Sequence, residues 1–180
     1  MIRLVRRWIA PALLVLAVST IGSFAGAADK GAIAGRGTAP FEVWVDAADD
    51  DAEESLLRWM NEERAREGRE PLARRAALDE LARLKAWDMA RHGYFDHVSE
   101  RLGTVFDMLR EAGIDFKWAG ENIARSPSAG AAHEAFMESP GHRSNILSAG
   151  YTDVGIGVVR AGGKLYVCQI FMKPRAHAVS

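Results

Sequence analysis

Five histidines, His92, His97, His133, His142 and His177, are the side chains of this sequence best suited to bind a metal or move a proton near neutral pH. His177 lies in the C-terminal tail and is set aside. His97 closes the run HGYFDH, His142 follows Ser-Pro-Gly, and Glu121 stands between them in GENIA. A carboxylate between two imidazoles suits a divalent-metal site or an acid/base site. Gly120 beside it lets the backbone come close to neighbours or a ligand. The spacing alone does not choose: His97 and His142 are 45 positions apart, which matches no local zinc motif such as HExxH. Each imidazole could equally bond backbone carbonyls and stiffen a loop. Nucleophilic chemistry has less support. No GxSxG is present, Ser139, Ser144 and Ser148 read as turn residues, and Cys168 in LYVCQIF reads as a buried small hydrophobe.

These residues must be held by elements that the pattern also predicts. Leu56, Leu57, Met60 and Ala65 mark one face of a helix from Glu53 to near Gly68. A second helix spans Ala76 to about His92, with Leu78, Leu81, Leu84, Lys85 and Asp88 at helical spacing, Trp87 and Met89 broadening its apolar side, and Gly93 as its stop. A third runs from Gly103 to Ala112. A fourth runs from Ala129 to Glu138, where Pro140-Gly141 breaks it. The break is read as a turn that aims His142, with Asn145 bonding turn backbone and Ile146 and Leu147 as anchors. A strand is expected at Lys117 to Ala124. VGIGVVR and KLYVCQIFMK flank Ala161-Gly162-Gly163 as a hairpin. Helices followed by a strand, a helix and a terminal hairpin predict an α+β fold with an antiparallel sheet.

The chain has 180 residues, 48% of them hydrophobic and 26% charged, which fits one globular domain. A net charge of -1 and the lack of a basic stripe argue against nucleic acid as a partner. MIRLVRR, the apolar WIAPALLVLAVSTIG and the small-x-small Ala25-Gly26-Ala27 read as a secretory signal over residues 1–27, cleaved after Ala27. The apolar run is short for a membrane span, so no stable span is expected after cleavage. Losing Arg3, Arg6 and Arg7 takes the basic residues from 23 to 20 against 24 acidic ones, a mature charge of -4. With one cysteine, no internal disulfide supports the exported domain. Residues 28–51 read as a flexible linker, in which the alternation of Phe41 to Val45 suits either a short strand or a segment docked on the domain. The acids of DAADDDAEE read as a solvated lead-in favouring the next helix N-terminus rather than a calcium loop.

The ordered set HGYFDH, AGENIA, FMESPGHRSNIL, YTDVGIGVV and YVCQIF closely resembles the CAP superfamily, named for cysteine-rich secretory proteins, antigen 5 and pathogenesis-related protein 1. The resemblance is nearest to the bacterial SCP-like branch. It covers Glu53 to Phe171 and places the domain at residues 52–175, with 176–180 as a tail. It implies a three-layer α-β-α sandwich around a central antiparallel sheet, and a cleft lined by two histidines and two acids. His97, Glu121 and His142 match the first histidine, the first acid and the second histidine. Ser139 stands where the second acid falls in eukaryotic members. Glu138 is one position off, and Glu134 shares its helix face. Tyr94 and Gln169 are read as supports of the cleft floor. Phe136 takes the place of a usual Trp. His133 takes the place of an apolar residue and is read as partly buried and hydrogen-bonded.

The family implies that His97 and His142 bind zinc or another divalent cation in some members. The leading expectation is an exported, non-enzymatic module that uses this cleft for a divalent metal, a lipid or a cell-envelope component, in the periplasm or outside the cell. One alternative is a metal-dependent hydrolase with Glu121 as general base. The other is a structural or interaction protein whose cleft histidines only rigidify loops.

Overall fold

The computed structural model describes residues 45–175. The signal segment 1–27, residues 28–44 of the linker, the tail 176–180 and His177 lie outside the described residues. The elements run β1 (Val45–Ala48), α1 (Asp50–Arg66), β2 (Ala73–Arg74), α2 (Ala76–His92), α3 (Val105–Glu111), β3 (Phe116–Ser126), α4 (Ala129–Glu138), α5 (Pro140–Leu147), β4 (Asp153–Ala161) and β5 (Lys164–Pro174). The sheet order is β1-β4-β5-β3, all antiparallel, with the two-residue β2 pairing β4 in parallel.

Alternation along the strands builds two apolar layers. Val154, Ile156, Val158, Leu165, Val167 and Phe171 point to one face and meet Leu56 and Met60 of α1, Phe136 of α4 and Ile146 of α5. Ile123, Val159, Cys168, Ile170 and Met172 point to the other and meet Leu78, Ala82, Ala86 and Met89 of α2 and Leu109 of α3. This is the expected three-layer sandwich.

The hairpin turn fixes the hydrogen-bonding phase of the whole sheet. Gly162 and Gly163 both adopt left-handed φ, 57° and 70°, as a two-residue hairpin requires. Ala161 and Lys164 then form the closing bonded pair, and alternate residues of β5 face β4 and β3 in turn. Gly120, Asn122, Ala124 and Ser126 turn their backbone groups toward β5. Ala119, Glu121, Ile123 and Arg125 turn theirs toward the free edge.

α2 lies against β4 more closely than any side chain allows. A Cβ on Gly155 would sit 2.1 Å from the Leu78 carbonyl carbon, and one on Gly157 2.1 Å from the Arg83 nitrogen. Ala82, Ala86 and Ala90 supply the small face on the helix side. Leu84 and Trp87, expected on the apolar side, are therefore exposed, and Lys85 and Asp88 turn inward.

Between β1 and β2 the outer flank of β4 has no strand partner, and two buried carboxylates fill the gap. Asp79 accepts from the Ile156 N–H at 2.9 Å, and Glu53 accepts from the Val158 N–H at 3.2 Å. Glu53 is fully buried and is held by Arg74 and Arg83, whose guanidinium is stabilised chiefly by its hydrogen bond to Glu53. This corrects the solvated reading of the acid run. Asp49 caps α1, Asp50 and Asp51 lie in its first turn, and Glu53 is a core residue. The linker likewise ends earlier than expected, since Val45–Ala48 already joins the sheet. In α1 Arg64, rather than Ala65, faces inward, and it donates to the Ile146 and Ser148 carbonyls at 2.7 and 2.9 Å. The expected turn at Pro140-Gly141 is instead the start of α5, with Pro140 in its first turn where a missing N–H costs nothing.

Gly157→Ala is expected to destabilise the domain by about 3 kcal/mol, because the methyl meets helix backbone that cannot yield. Urea unfolding of the variant beside wild type measures it; unchanged stability would refute the close-packing account.

Candidate functional site

Glu121 and Asn122 are consecutive on β3, so their side chains leave opposite faces of the sheet. Glu121 enters the α2/α3 layer. Its side chain is 3% exposed, its Oε1 lies 2.7 Å from His97 Nδ1, and its Oε2 accepts from the Cys168 thiol at 3.5 Å. Asn122 enters the α4/α5 layer, where its amide donates to the His142 carbonyl at 3.1 Å and to Gln169 Oε1 at 3.2 Å. The two histidines thus approach one strand edge from opposite layers.

The His97 ring is 56% exposed. A carboxylate oxygen can only accept, so in the neutral ring Nδ1 is the donor to Glu121 and Nε2 keeps the lone pair. The loop beneath is held by a buried polar cluster. Lys85, fully buried, donates to the His97 carbonyl at 3.0 Å and contacts Tyr94 Oη at 3.3 Å. Asp88 accepts from Tyr94, from Ser99 Oγ at 2.7 Å and from Arg101 Nε at 2.7 Å. Burial, and then the bond to Asp88, push the Tyr94 phenol up to about 12. Tyr94, expected on the cleft floor, belongs to this cluster behind the His97 loop.

His142 sits in the first turns of α5, half-buried, with its ring edge-on to Phe136 at 5.3 Å. Its ring nitrogens make no hydrogen bond among the described residues. Burial, and then the nearness of His97, hold its pKa below the ordinary value of 6.5. Asn145 does not bond turn backbone as expected. It reaches across to β3, donating to Asn122 Oδ1 at 2.9 Å and to the Glu121 carbonyl at 3.4 Å. Tyr151 Oη donates to the Ala119 carbonyl at 3.2 Å and crosses Gly120, where a Cβ would lie 2.6 Å from that hydroxyl. Gln169 is fully buried under Asn122, and its Nε2 has no partner among the described residues.

The structure brings His97 and Glu121 together and anchors His142 beside them through Asn122. Glu138 and Glu134 are exposed on α4 and form no ion pair with these residues. Cys168 is fully buried, and burial and Glu121 push its thiol well up, which removes it as a nucleophile. His133 is half-buried against Trp59 at 5.7 Å, but its Nδ1 has no hydrogen bond, contrary to expectation. Sequence reasoning missed Asn122, Lys85 and Asp88 as supports. The last two carried a signal, two charged residues on the inward face of an apolar helix.

Among the described residues, no three His, Cys, Asp or Glu side chains gather closely enough to hold a cation. His97 fits the pattern in which a carboxylate fixes one ring nitrogen so that the other can ligate.

Residues 57–171 match the cysteine-rich secretory protein family, CAP. The chain is 40% identical over 111 residues to the Bacillus subtilis protein YkwD, covering 61% of this chain and 43% of YkwD. It is 37% identical over 123 residues to the B. subtilis membrane protein YlbC, covering 68% of this chain and 34% of YlbC. The chain therefore spans less than half the length of these curated relatives. Among solved structures, an extracellular SCP-domain protein from Bacillus anthracis superposes with a TM-score of 0.65 at 30% identity, over 69% of this chain and 41% of that one. An outer surface protein of Borrelia burgdorferi superposes with a TM-score of 0.68 at 14% identity, over 73% and 98%, which shows the fold alone.

Burial lowers the pKa of both His133 and His142. The unfolded chain therefore binds protons that the folded one resists, so their contribution is complete above pH 6.5 and is lost as pH falls below it. Thermal unfolding between pH 7.5 and pH 5 is expected to show falling stability, with a shallower fall in His133→Leu. An identical slope in the variant would refute a buried, neutral His133.

Proposed function

The chain belongs to the cysteine-rich secretory protein (CAP) family, and on that premise we propose that it is an exported binding module whose His97/His142 cleft holds a divalent cation, zinc foremost, beside a lipid or cell-envelope ligand. The observation that carries the reading is the 2.7 Å contact between His97 Nδ1 and the buried Glu121 carboxylate. That contact leaves Nε2 of the neutral His97 ring free to ligate, and the His142 ring nitrogens make no hydrogen bond among the described residues.

Export is supported by the signal-like residues 1–27 and by the extracellular description of the B. anthracis relative. No helix of the described residues is long and apolar enough to cross a membrane. Exposed Phe95, Val98, Phe106 and Trp118 supply apolar surface near the cleft loop and along β3.

The cation would be held by His97 and His142, with solvent completing its shell. Bound there, it would supply positive charge for an anionic headgroup or carbonyl. Glu121 keeps the His97 ring oriented and its Nδ1 protonated, and Asn122 holds the α5 backbone that carries His142. The hydrolase alternative is weaker. Catalytic zinc sites use three protein ligands, and both oxygens of Glu121 are engaged by His97 and Cys168, which leaves it poorly placed as a general base.

Calorimetric titration of zinc into the metal-free domain is expected to give saturable one-site binding. His97→Ala/His142→Ala should abolish it, and Glu121→Gln should weaken it by roughly 10–100-fold. Equal binding by the double variant would overturn the metal site. Zinc-dependent peptidase or esterase turnover lost in Glu121→Gln would overturn the non-enzymatic reading.

A further inference from the structure

We propose that Arg64 is a positioning residue of the cleft: from α1 it clamps the far end of α5 and so sets where His142 stands. The functional meaning of that placement rests on the reading of His142 as a ligand.

Arg64 is buried, and among the described residues its hydrogen bonds all go to backbone carbonyls rather than to a carboxylate. Its Nε donates to Glu70 at 2.7 Å, and its Nη1 donates to Ile146 at 2.7 Å and to Ser148 at 2.9 Å. Ile146 and Ser148 close the C-terminal end of α5, where carbonyls lack helical partners and the helix dipole is negative. α5 has no basic residue in its own last turn, so Arg64 supplies that cation from another helix. Burial, and then the nearness of Arg69, lower the pKa of Arg64. A charge buried without an opposite charge is a poor device for stability alone. The rigid planar fork of a guanidinium instead fixes the direction of the groups it binds.

α5 has eight residues, and His142 stands about 6 Å along its axis from Ile146. Its other end is tied to β3, where Asn122 donates to the His142 carbonyl at 3.1 Å and Asn145 donates to the Glu121 carbonyl at 3.4 Å. Both bonds run to neighbouring residues of one strand, so alone they form a hinge about which a short helix can pivot. Ile146 adds apolar packing against α1 and α4, which has no preferred direction. The ion pair of Arg143 with Glu67, at 2.9 Å, is largely in solvent and adds little. Arg64 is the buried, directional contact away from the hinge. A cation shared by side chains from two layers needs each held to within about 0.5 Å. Lys85 holds the His97 loop in this way, and Arg64 does the same for the helix that carries His142.

The test follows the His142 ring protons by NMR in EDTA, where the edge-on Phe136 ring shifts them, and then titrates zinc into the same proteins. Arg64→Met removes the clamp, and Arg64→Lys keeps the charge without the fork. Gly157→Ala, destabilised on the α2 side of the sheet, controls for lost stability alone. Arg64→Met is expected to move the His142 ring signals and to weaken zinc binding roughly 10–100-fold. Arg64→Lys should give a smaller displacement in the same direction, and Gly157→Ala should change neither. Wild-type His142 signals in a folded Arg64→Met would overturn the proposal, as would an equal displacement in Gly157→Ala. Should Arg64→Met not fold, Arg64→Lys decides, and wild-type His142 signals in that variant would overturn it. Failure of the wild-type domain to bind zinc would overturn the metal reading instead, and the ring signals recorded in EDTA would still decide the placement of His142.

Discussion

The site depends on the alternation of two neighbouring residues on an edge strand. Glu121 must point into one layer of the sandwich and Asn122 into the other, because successive side chains of a strand leave opposite faces. That geometry lets one strand anchor a loop from the α2/α3 side and a helix from the α4/α5 side. A slip of one residue in the β3–β5 register would exchange the two side chains and separate the histidines. The register is pinned from a distance by the glycine turn at 162–163 and by the apolar alternation of β4 and β5.

A carboxylate buried to the extent of Glu121 is costly unless its oxygens are matched. Here one oxygen meets the His97 ring and the other the Cys168 thiol. The ring is therefore oriented by the same contact that makes the burial tolerable. Behind it, Lys85 grips the His97 carbonyl, and Asp88 collects Tyr94, Ser99 and Arg101. The loop is rigid at its base while the imidazole stays largely in solvent. On the other side Asn122 uses both amide protons, one on the α5 backbone and one on Gln169, so α5 is tied to the sheet through a buried amide network.

Much of this was legible in the sequence. Helical spacing placed α2 at Ala76–His92 and α4 at Ala129–Glu138, and paired glycines between alternating strands placed the hairpin. The ordered motifs pointed to His97, Glu121 and His142 together. What escaped was tertiary in origin. Pro140 was read as a breaker, but a proline in a first turn starts a helix as readily as it ends one. Glu53 reads as part of a solvated acid run, and only the strand missing between β1 and β2 makes it, like Asp79, a core residue. Tyr94 reads as a support of the cleft floor, yet the inward turn of Asp88 draws it behind the loop. Asn145 has its partners on β3, more than twenty residues away, where no local pattern could reveal them.

The central claim is that Glu121 fixes His97 in the Nδ1-protonated tautomer with Nε2 free. Long-range ¹H–¹⁵N correlation spectra of the domain at neutral pH read the tautomer of each histidine directly. The account predicts a single Nδ1–H form for His97 that reverts to a mixture in Glu121→Gln. A His97 already averaged between tautomers in the wild-type protein, or locked as Nε2–H, would contradict it.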